Sequence, residues 1–73
     1  MKKKRVIVFG AGGPAKVVVD VLEQTGIYQI VGLVDDSVEL KGTVRGGYSV
    51  LGNKDDLAGM SGAGIDGVIV ALG

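Results

Sequence analysis

The chain has 73 residues, a formal net charge of zero, no cysteine and no histidine, which predicts one small domain. Disulfides, metal sites built from Cys or His, and every catalytic arrangement that uses these residues are therefore excluded. The neutral charge argues against a nucleic-acid partner. No apolar segment is long enough to span a bilayer, so we expect a cytoplasmic protein without membrane contact.

The first predicted element is a buried strand. Residues 6–9, VIVF, follow a basic lead-in and form an apolar run rich in β-branched residues, as is typical of a strand buried on both faces of a parallel sheet. Gly10, Gly12 and Gly13 come next. Glycine lets the backbone turn sharply or approach a ligand closely, so the sequence predicts a tight, bare turn after the strand.

A helix is predicted from Pro14 to Thr25. Proline suits the first turn of a helix because the N–H that it lacks would have no partner there, and Gly26 is a natural left-handed cap at the far end. The predicted apolar face is formed by Val17, Val18, Val21 and Leu22.

This strand, turn and helix suit anion binding, because the first N–H groups of a helix lack internal partners and lie at the positive end of its dipole. Gly10, Gly12 and Ala15 fit the dinucleotide pattern G-x-G-x-x-G/A, and the acidic Asp35 follows it by about 20 residues. The alternative is that the turn is only structural, since any βαβ unit needs one.

A second strand is predicted over Tyr28–Val34, and it is followed by Asp35 and Asp36. A right-handed crossover makes it parallel to the first strand, so both aspartates emerge at the same sheet edge as the glycine turn. A carboxylate there can accept hydrogen bonds from ribose or sugar hydroxyls. The alternative is that the aspartates initiate a turn.

Residues 37–52 are predicted to be a loop with short extended pieces at Thr43–Arg45 and Tyr48–Leu51. A short helix is predicted over Asn53–Met60, with Asn53 as its cap and acidic residues in its first turn.

The last predicted strand is Asp66–Gly73, placed beside the first strand and opposite the second. The prediction is thus a small three-layer α/β domain over residues 1–73, with a short parallel sheet in the order 2-1-3. One good helix and one short helix cover such a sheet thinly. We therefore expect either a fragment of a longer chain or a homo-oligomer.

Four segments in order, VIVFGAGGPAKVVVDVLEQTG, IVGLVDD, GGYSVLGNKDDL and DGVIVALG, resemble the N-terminal domain of the NeuD/PglD family of sialic acid O-acetyltransferases and sugar N-acetyltransferases. The resemblance implies a Rossmann-like domain that holds a nucleotide-linked amino sugar. It also implies a following left-handed β-helix that binds acetyl-CoA between the subunits of a trimer and supplies a histidine base. The implied substrate contacts are Ala11, Gly12, Gly13, Asp35, Asp36, Leu72 and Gly73.

Pro14 is a departure from this family, which usually has histidine in a GAGGHAK-like turn. Proline removes both an imidazole and a backbone donor. The resemblance assigns no catalytic residue, metal or cofactor to this chain itself, and acetyl-CoA belongs to the expected second domain. The alternatives are half of an NAD(P)-binding domain, suggested by the glycine pattern, and a non-catalytic accessory module.

Overall fold

The computed structural model describes residues 2–71, which form a five-stranded sheet and two α-helices. Two short 3₁₀ segments, Val38–Leu40 and Lys54–Asp56, connect some of these elements. In chain order the elements are β1 (Lys4–Phe9), α1 (Gly13–Thr25), β2 (Tyr28–Val34), β3 (Val44–Arg45), β4 (Tyr48–Gly52), α2 (Leu57–Ser61) and β5 (Gly67–Val70).

β1 lies inside the sheet, whose order is β3-β4-β2-β1-β5. It pairs in parallel with β2 from Lys4↔Tyr28 to Phe9↔Val34, and with β5 on its other side. The predicted order of second, first and last strand is therefore confirmed, and these three strands form one side of a wider sheet. The four parallel strands, in the order β4-β2-β1-β5, follow the order of a doubly wound Rossmann sheet, in which the strand order reverses beside the first strand.

The segment predicted as a loop with two extended pieces is a β-hairpin. β3 and β4 pair antiparallel around Gly46 and Gly47, whose φ angles of 60° and 91° are those of a type I′ turn. β4 also pairs in parallel with β2, which the sequence did not predict. The hairpin therefore extends the sheet beyond β2.

α1 covers one face of the sheet with a different stripe from the predicted one. Its buried residues are Ala15, Val19 and Leu22, which pack with Val6, Val8, Ile30, Leu33 and Val50 of the strands. Of the four residues of the predicted apolar face, Leu22 is buried and Val18 packs against the core, whereas Val17 and Val21 are 64% and 55% exposed. The prediction was wrong for these two valines because the helix has valines on several sides, and the spacing 15, 19, 22 also fits one helical face.

The opposite face of the sheet has thinner cover. The connection from β4 to β5 crosses β2 and β1, and a right-handed crossover in this direction places α2 on the face opposite α1. Ile7 is fully buried there, whereas Val68 and Val70 of the edge strand β5 are 42% and 62% exposed. The predicted end of the last strand at Leu72 and Gly73 lies outside the described residues.

The predicted short helix is confirmed, although it begins as a 3₁₀ segment that leads into α2. Asn53 caps it: its side chain accepts a hydrogen bond from the Asp55 N–H at 2.9 Å, and Asp56 Oδ2 accepts one from the Asn53 N–H at 2.9 Å. This reciprocal arrangement is a capping box. No helix within residues 2–71 has both the length and the apolar character needed to cross a membrane.

A substitution at Gly32 tests the packing on the face of the sheet opposite α1. A Cβ at Gly32 would lie 2.6 Å from Leu51 Cδ1 and 3.2 Å from the Ser49 carbonyl oxygen. We expect Gly32→Ala to lower the free energy of unfolding by about 1–3 kcal/mol through overpacking, and by less when Leu51→Ala is already present. Urea unfolding of the four proteins of this double-mutant cycle measures the difference. If Gly32→Ala lowered the free energy of unfolding equally with and without Leu51→Ala, the packing of Leu51 over Gly32 would be contradicted.

Candidate functional site

The glycine turn connects the end of β1 to the start of α1. Gly10 has a φ of 114°, which L side chains rarely adopt, and its N–H donates to the Val34 carbonyl at 2.7 Å. The Ala11 N–H donates to Asp35 Oδ2 at 2.8 Å. The turn is therefore fastened to the end of β2 by two hydrogen bonds.

Gly12 and Gly13 differ from Gly10, because neither the backbone nor packing requires glycine at these two positions. A Cβ on either one would have nothing within 4 Å, and Gly12 has an extended backbone with φ −80° and ψ −161°. Both residues are exposed. The turn therefore presents bare backbone to open space in front of α1.

The first turn of α1 has few backbone donors. Pro14 has no N–H, and the Ala15 N–H donates to the Gly12 carbonyl at 3.1 Å. The N–H groups of Gly12 and Gly13 remain at the open end of the helix, where helical N–H groups have no partner from a preceding turn. The first turn also carries no acidic residue, so no side chain of α1 itself offsets the positive end of the dipole.

Asp35 is the predicted site residue that the structure places directly against the glycine turn. Besides the bond from Ala11, its Oδ1 accepts a hydrogen bond from the Ser37 N–H at 2.8 Å. Asp36 is exposed, and its Oδ1 accepts one from the Lys54 N–H at 3.2 Å. The turn role that the sequence left open is thus present for Asp35, which also positions the backbone of the glycine turn. The Asp36 carboxylate instead bonds to the start of the second 3₁₀ segment.

An open cleft of about 410 Å³ lies at the glycine turn, and we call it the glycine cleft. One wall is the start of α1, and the other comes from the β3–β4 hairpin and the 3₁₀ segment before it. The lining residues are Ala11, Gly12, Gly13, Lys16, Leu40, Val44, Arg45 and Gly46. All of these residues are neutral or basic, so the cleft favours anions.

A smaller cleft of about 160 Å³, the aspartate cleft, lies at the carboxyl ends of β2 and β4. The hydrogen bond from Ala11 to Asp35 joins a residue of the glycine cleft to a residue of the aspartate cleft, so the two are neighbours. The lining residues of the aspartate cleft are Asp35, Asp36, Ser37, Val38, Lys41, Gly52 and Asn53.

The structure brings Ala11, Gly12, Gly13 and Asp35 together, with Asp36 next to them. Leu72 and Gly73 lie outside the described residues, but Ala71 before them donates its N–H to the Phe9 carbonyl at 2.8 Å, close to the glycine turn. The second wall with Arg45 was not predicted, because the extended pieces at Thr43–Arg45 and Tyr48–Leu51 were placed in a loop and not paired with each other. The available signal was the Gly-Gly pair between two extended pieces, which is typical of a hairpin.

The hairpin is attached to α1. A Cβ on Gly46 would lie 3.8 Å from Val19 Cγ1, so the hairpin turn approaches the helix closely. The Tyr48 hydroxyl donates to Glu23 Oε2 at 2.9 Å. This hydrogen bond, together with partial burial and the negative charge of Glu23, raises the pKa of Tyr48 above its ordinary value of 10.0.

Comparison with known proteins places the chain in a family. Residues 5–73 match the model of a family described as the PglD N-terminal domain. A search of curated proteins found no match. Among solved structures, UDP-D-quinovosamine 4-dehydrogenase from Vibrio fischeri superimposes with a TM-score of 0.79 at 22% sequence identity over 93% of this chain. At this identity the likeness concerns the fold, and this chain spans 56% of the length of that protein.

The role of Asp35 in holding the glycine turn is testable through stability. Asp35→Asn keeps one carbonyl oxygen for two N–H donors, so we expect it to lower the free energy of unfolding by about 1–3 kcal/mol. Asp36→Asn is the matched control, with an expected change within about 0.5 kcal/mol because its bond is longer and exposed. Urea unfolding measures both, and equal losses would contradict the assignment.

The contact between Tyr48 and Glu23 predicts a pH dependence. Because the pKa of Tyr48 is raised in the folded protein, its contribution to stability is present below pH 10 and is lost as the pH rises through the folded-state pKa. We expect Glu23→Gln to return the pKa of Tyr48 toward 10.0. Tyrosinate absorbance measures this in a Tyr28→Phe background, in which Tyr48 is the remaining tyrosine. An unchanged titration would argue against the hydrogen bond.

Proposed function

Because the chain belongs to the PglD N-terminal domain family, we propose that it is the substrate-binding domain of a sugar acetyltransferase and holds a nucleotide-linked sugar. The observation that carries this proposal is the bare turn at Gly12 and Gly13 in a cleft without acidic lining residues. Bare backbone and unpartnered helical N–H groups suit a phosphate that approaches closely.

The two clefts match two of the three chemical parts of such a ligand, its diphosphate and its nucleoside. The diphosphate is anionic and suits the glycine cleft, which Lys16 and Arg45 line. The nucleoside carries hydroxyl donors and suits the aspartate cleft. An ionised carboxylate has about four lone-pair positions, so Asp35 can accept a ligand hydroxyl while it keeps its bonds from Ala11 and Ser37.

The acetyl transfer itself requires groups that this chain does not contain. We propose that a second domain binds acetyl-CoA and supplies a histidine base, and that the intact protein is a trimer. In that reaction a sugar amine or hydroxyl would attack the thioester carbonyl and give its proton to the base. The carbon–sulfur bond would break, and coenzyme A would leave as a thiolate that takes up this proton. The residues described above hold the sugar nucleotide and do not take part in the bond-making step.

A second candidate is a nicotinamide dinucleotide domain. Gly10, Gly12 and Ala15 fit the dinucleotide spacing, and the superimposed Vibrio fischeri protein is named a dehydrogenase. To bind NAD in this way, Asp35 or Asp36 would have to accept hydrogen bonds from the ribose hydroxyls of its adenosine. Saturable NADH binding, with no binding of a UDP-linked amino sugar, would favour this candidate over the acetyltransferase.

The glycine turn gives the sharpest test of the proposal. We expect Gly12→Val to weaken binding of a UDP-linked amino sugar at least about tenfold, because the side chain occupies the approach to the turn. The free energy of unfolding should fall by no more than about 1 kcal/mol, since the position tolerates a side chain but loses a good helix cap. Isothermal titration and urea unfolding give the two quantities.

Gly59→Val in α2 is the matched control, because a Cβ at Gly59 also has nothing within 4 Å and the residue lines neither cleft. If Gly12→Val left the binding of the UDP-linked amino sugar unchanged, the turn would be only structural.

The acetyltransferase part of the proposal needs its own assay. In that assay, the full-length protein should transfer an acetyl group from acetyl-CoA to the sugar nucleotide, and no transfer would contradict it.

A further inference from the structure

Two cations line the glycine cleft from different elements. Lys16 belongs to α1, and Arg45 ends β3 in the hairpin that forms the other wall. The two residues are 29 positions apart in sequence (45 − 16), so only the docking of the hairpin against the helix brings them to one cleft. This arrangement points to one anionic group held between them.

The chain has eight acidic and eight basic residues, yet the lining of this cleft includes two basic residues and excludes the acidic ones. The lining of the cleft therefore carries an excess of positive charge in a protein that is neutral overall, and the Asp35 carboxylate lies behind this lining, where it accepts the Ala11 N–H. Two positive charges match the two negative charges that a nucleotide-sugar diphosphate carries at neutral pH.

The two cations can compensate for the backbone donor that Pro14 lacks. A helix start that binds phosphate normally offers several N–H groups, but Pro14 offers none at its position in the first turn. Charge-assisted hydrogen bonds from side chains are about twice as strong as neutral ones, so a lysine and an arginine can replace what the backbone lacks. An arginine adds a planar fork that can bind two phosphate oxygens at once.

The hairpin holds the backbone of Arg45 in a fixed position. Arg45 pairs with Tyr48 across the type I′ turn, the adjoining Gly46 lies against Val19 of α1, and the Tyr48 hydroxyl bonds to Glu23. These contacts attach both sides of the turn to the helix that carries Lys16. The fold thus sets the distance between the backbones of Lys16 and Arg45 before any ligand arrives.

We propose that Lys16 and Arg45 together grip the diphosphate of the ligand, and that they make this cleft select nucleoside diphosphates over the corresponding nucleosides. This inference rests on the proposed function and assigns its phosphate contacts to two side chains. Gly12 and Gly13 then supply backbone donors to the same group, and the neutral parts of the ligand gain nothing from the two cations.

The test compares UDP with uridine as probes, using isothermal titration on the full-length protein. We expect Lys16→Gln and Arg45→Gln each to weaken UDP binding at least about tenfold and to leave uridine binding unchanged. Arg45→Lys keeps the charge but removes the planar guanidinium fork, so it should weaken UDP binding less than Arg45→Gln does. The UDP affinity of the unmodified protein should also fall as salt is added.

Lys3→Gln is the matched control. It removes one positive charge from the opposite end of the molecule, next to the amino end of β1, and we expect it to leave UDP affinity within about twofold because salt screens such distant charges. Equal UDP affinities for the unmodified protein, Lys16→Gln and Arg45→Gln would overturn the inference. If Gly12→Val still abolished binding in that case, the proposed function would stand without it. An unmodified protein that binds neither UDP nor a UDP-linked amino sugar would overturn both.

Discussion

Parallel pairing on both sides of β1 determines where the glycine turn and the two aspartates of the candidate site lie. The pairing with β2 brings Phe9 beside Val34, and the pairing with β5 brings Phe9 beside Val70. All three strands therefore end at one edge of the sheet. The glycine turn, the two aspartates and the segment that begins at Ala71 follow these strand ends, so they converge without any long connecting loop.

Convergence alone does not shape the glycine turn, and hydrogen bonds complete it. The left-handed backbone at Gly10 directs the chain from β1 toward α1, and the Asp35 carboxylate holds Ala11 in place. These contacts leave the backbone of Gly12 and Gly13 uncovered. Such an exposed turn costs the folded state little stability, because its polar groups face solvent and none is buried without a partner.

The hairpin changes the character of the site from a bare turn to a cleft. Without it, the start of α1 would face solvent, where a phosphate is well hydrated and helix-end attraction is small. With it, Arg45 stands across from Lys16, and the concave space lowers the exposure of a bound anion. The same hairpin widens the sheet through the pairing of β4 with β2, so one short segment serves both the fold and the candidate site.

The sequence by itself determined the features that depend on near neighbours in the chain. The order of β1, glycine turn and α1, the position of Asp35 and Asp36 after β2, and the capping box at Asn53 follow from apolar runs, glycine conformations and helix-end hydrogen bonds, which act over a few residues. Family membership could be predicted for the same reason, because its motifs are local.

Tertiary structure decided which stripe of α1 is buried, how the hairpin docks, and that the Asp35 carboxylate bonds to Ala11. Those outcomes depend on contacts between distant residues, such as Gly46 with Val19, and several alternatives fit the local pattern equally well. In α1 the valines allow more than one apolar face, and only packing against the strands selects Ala15, Val19 and Leu22.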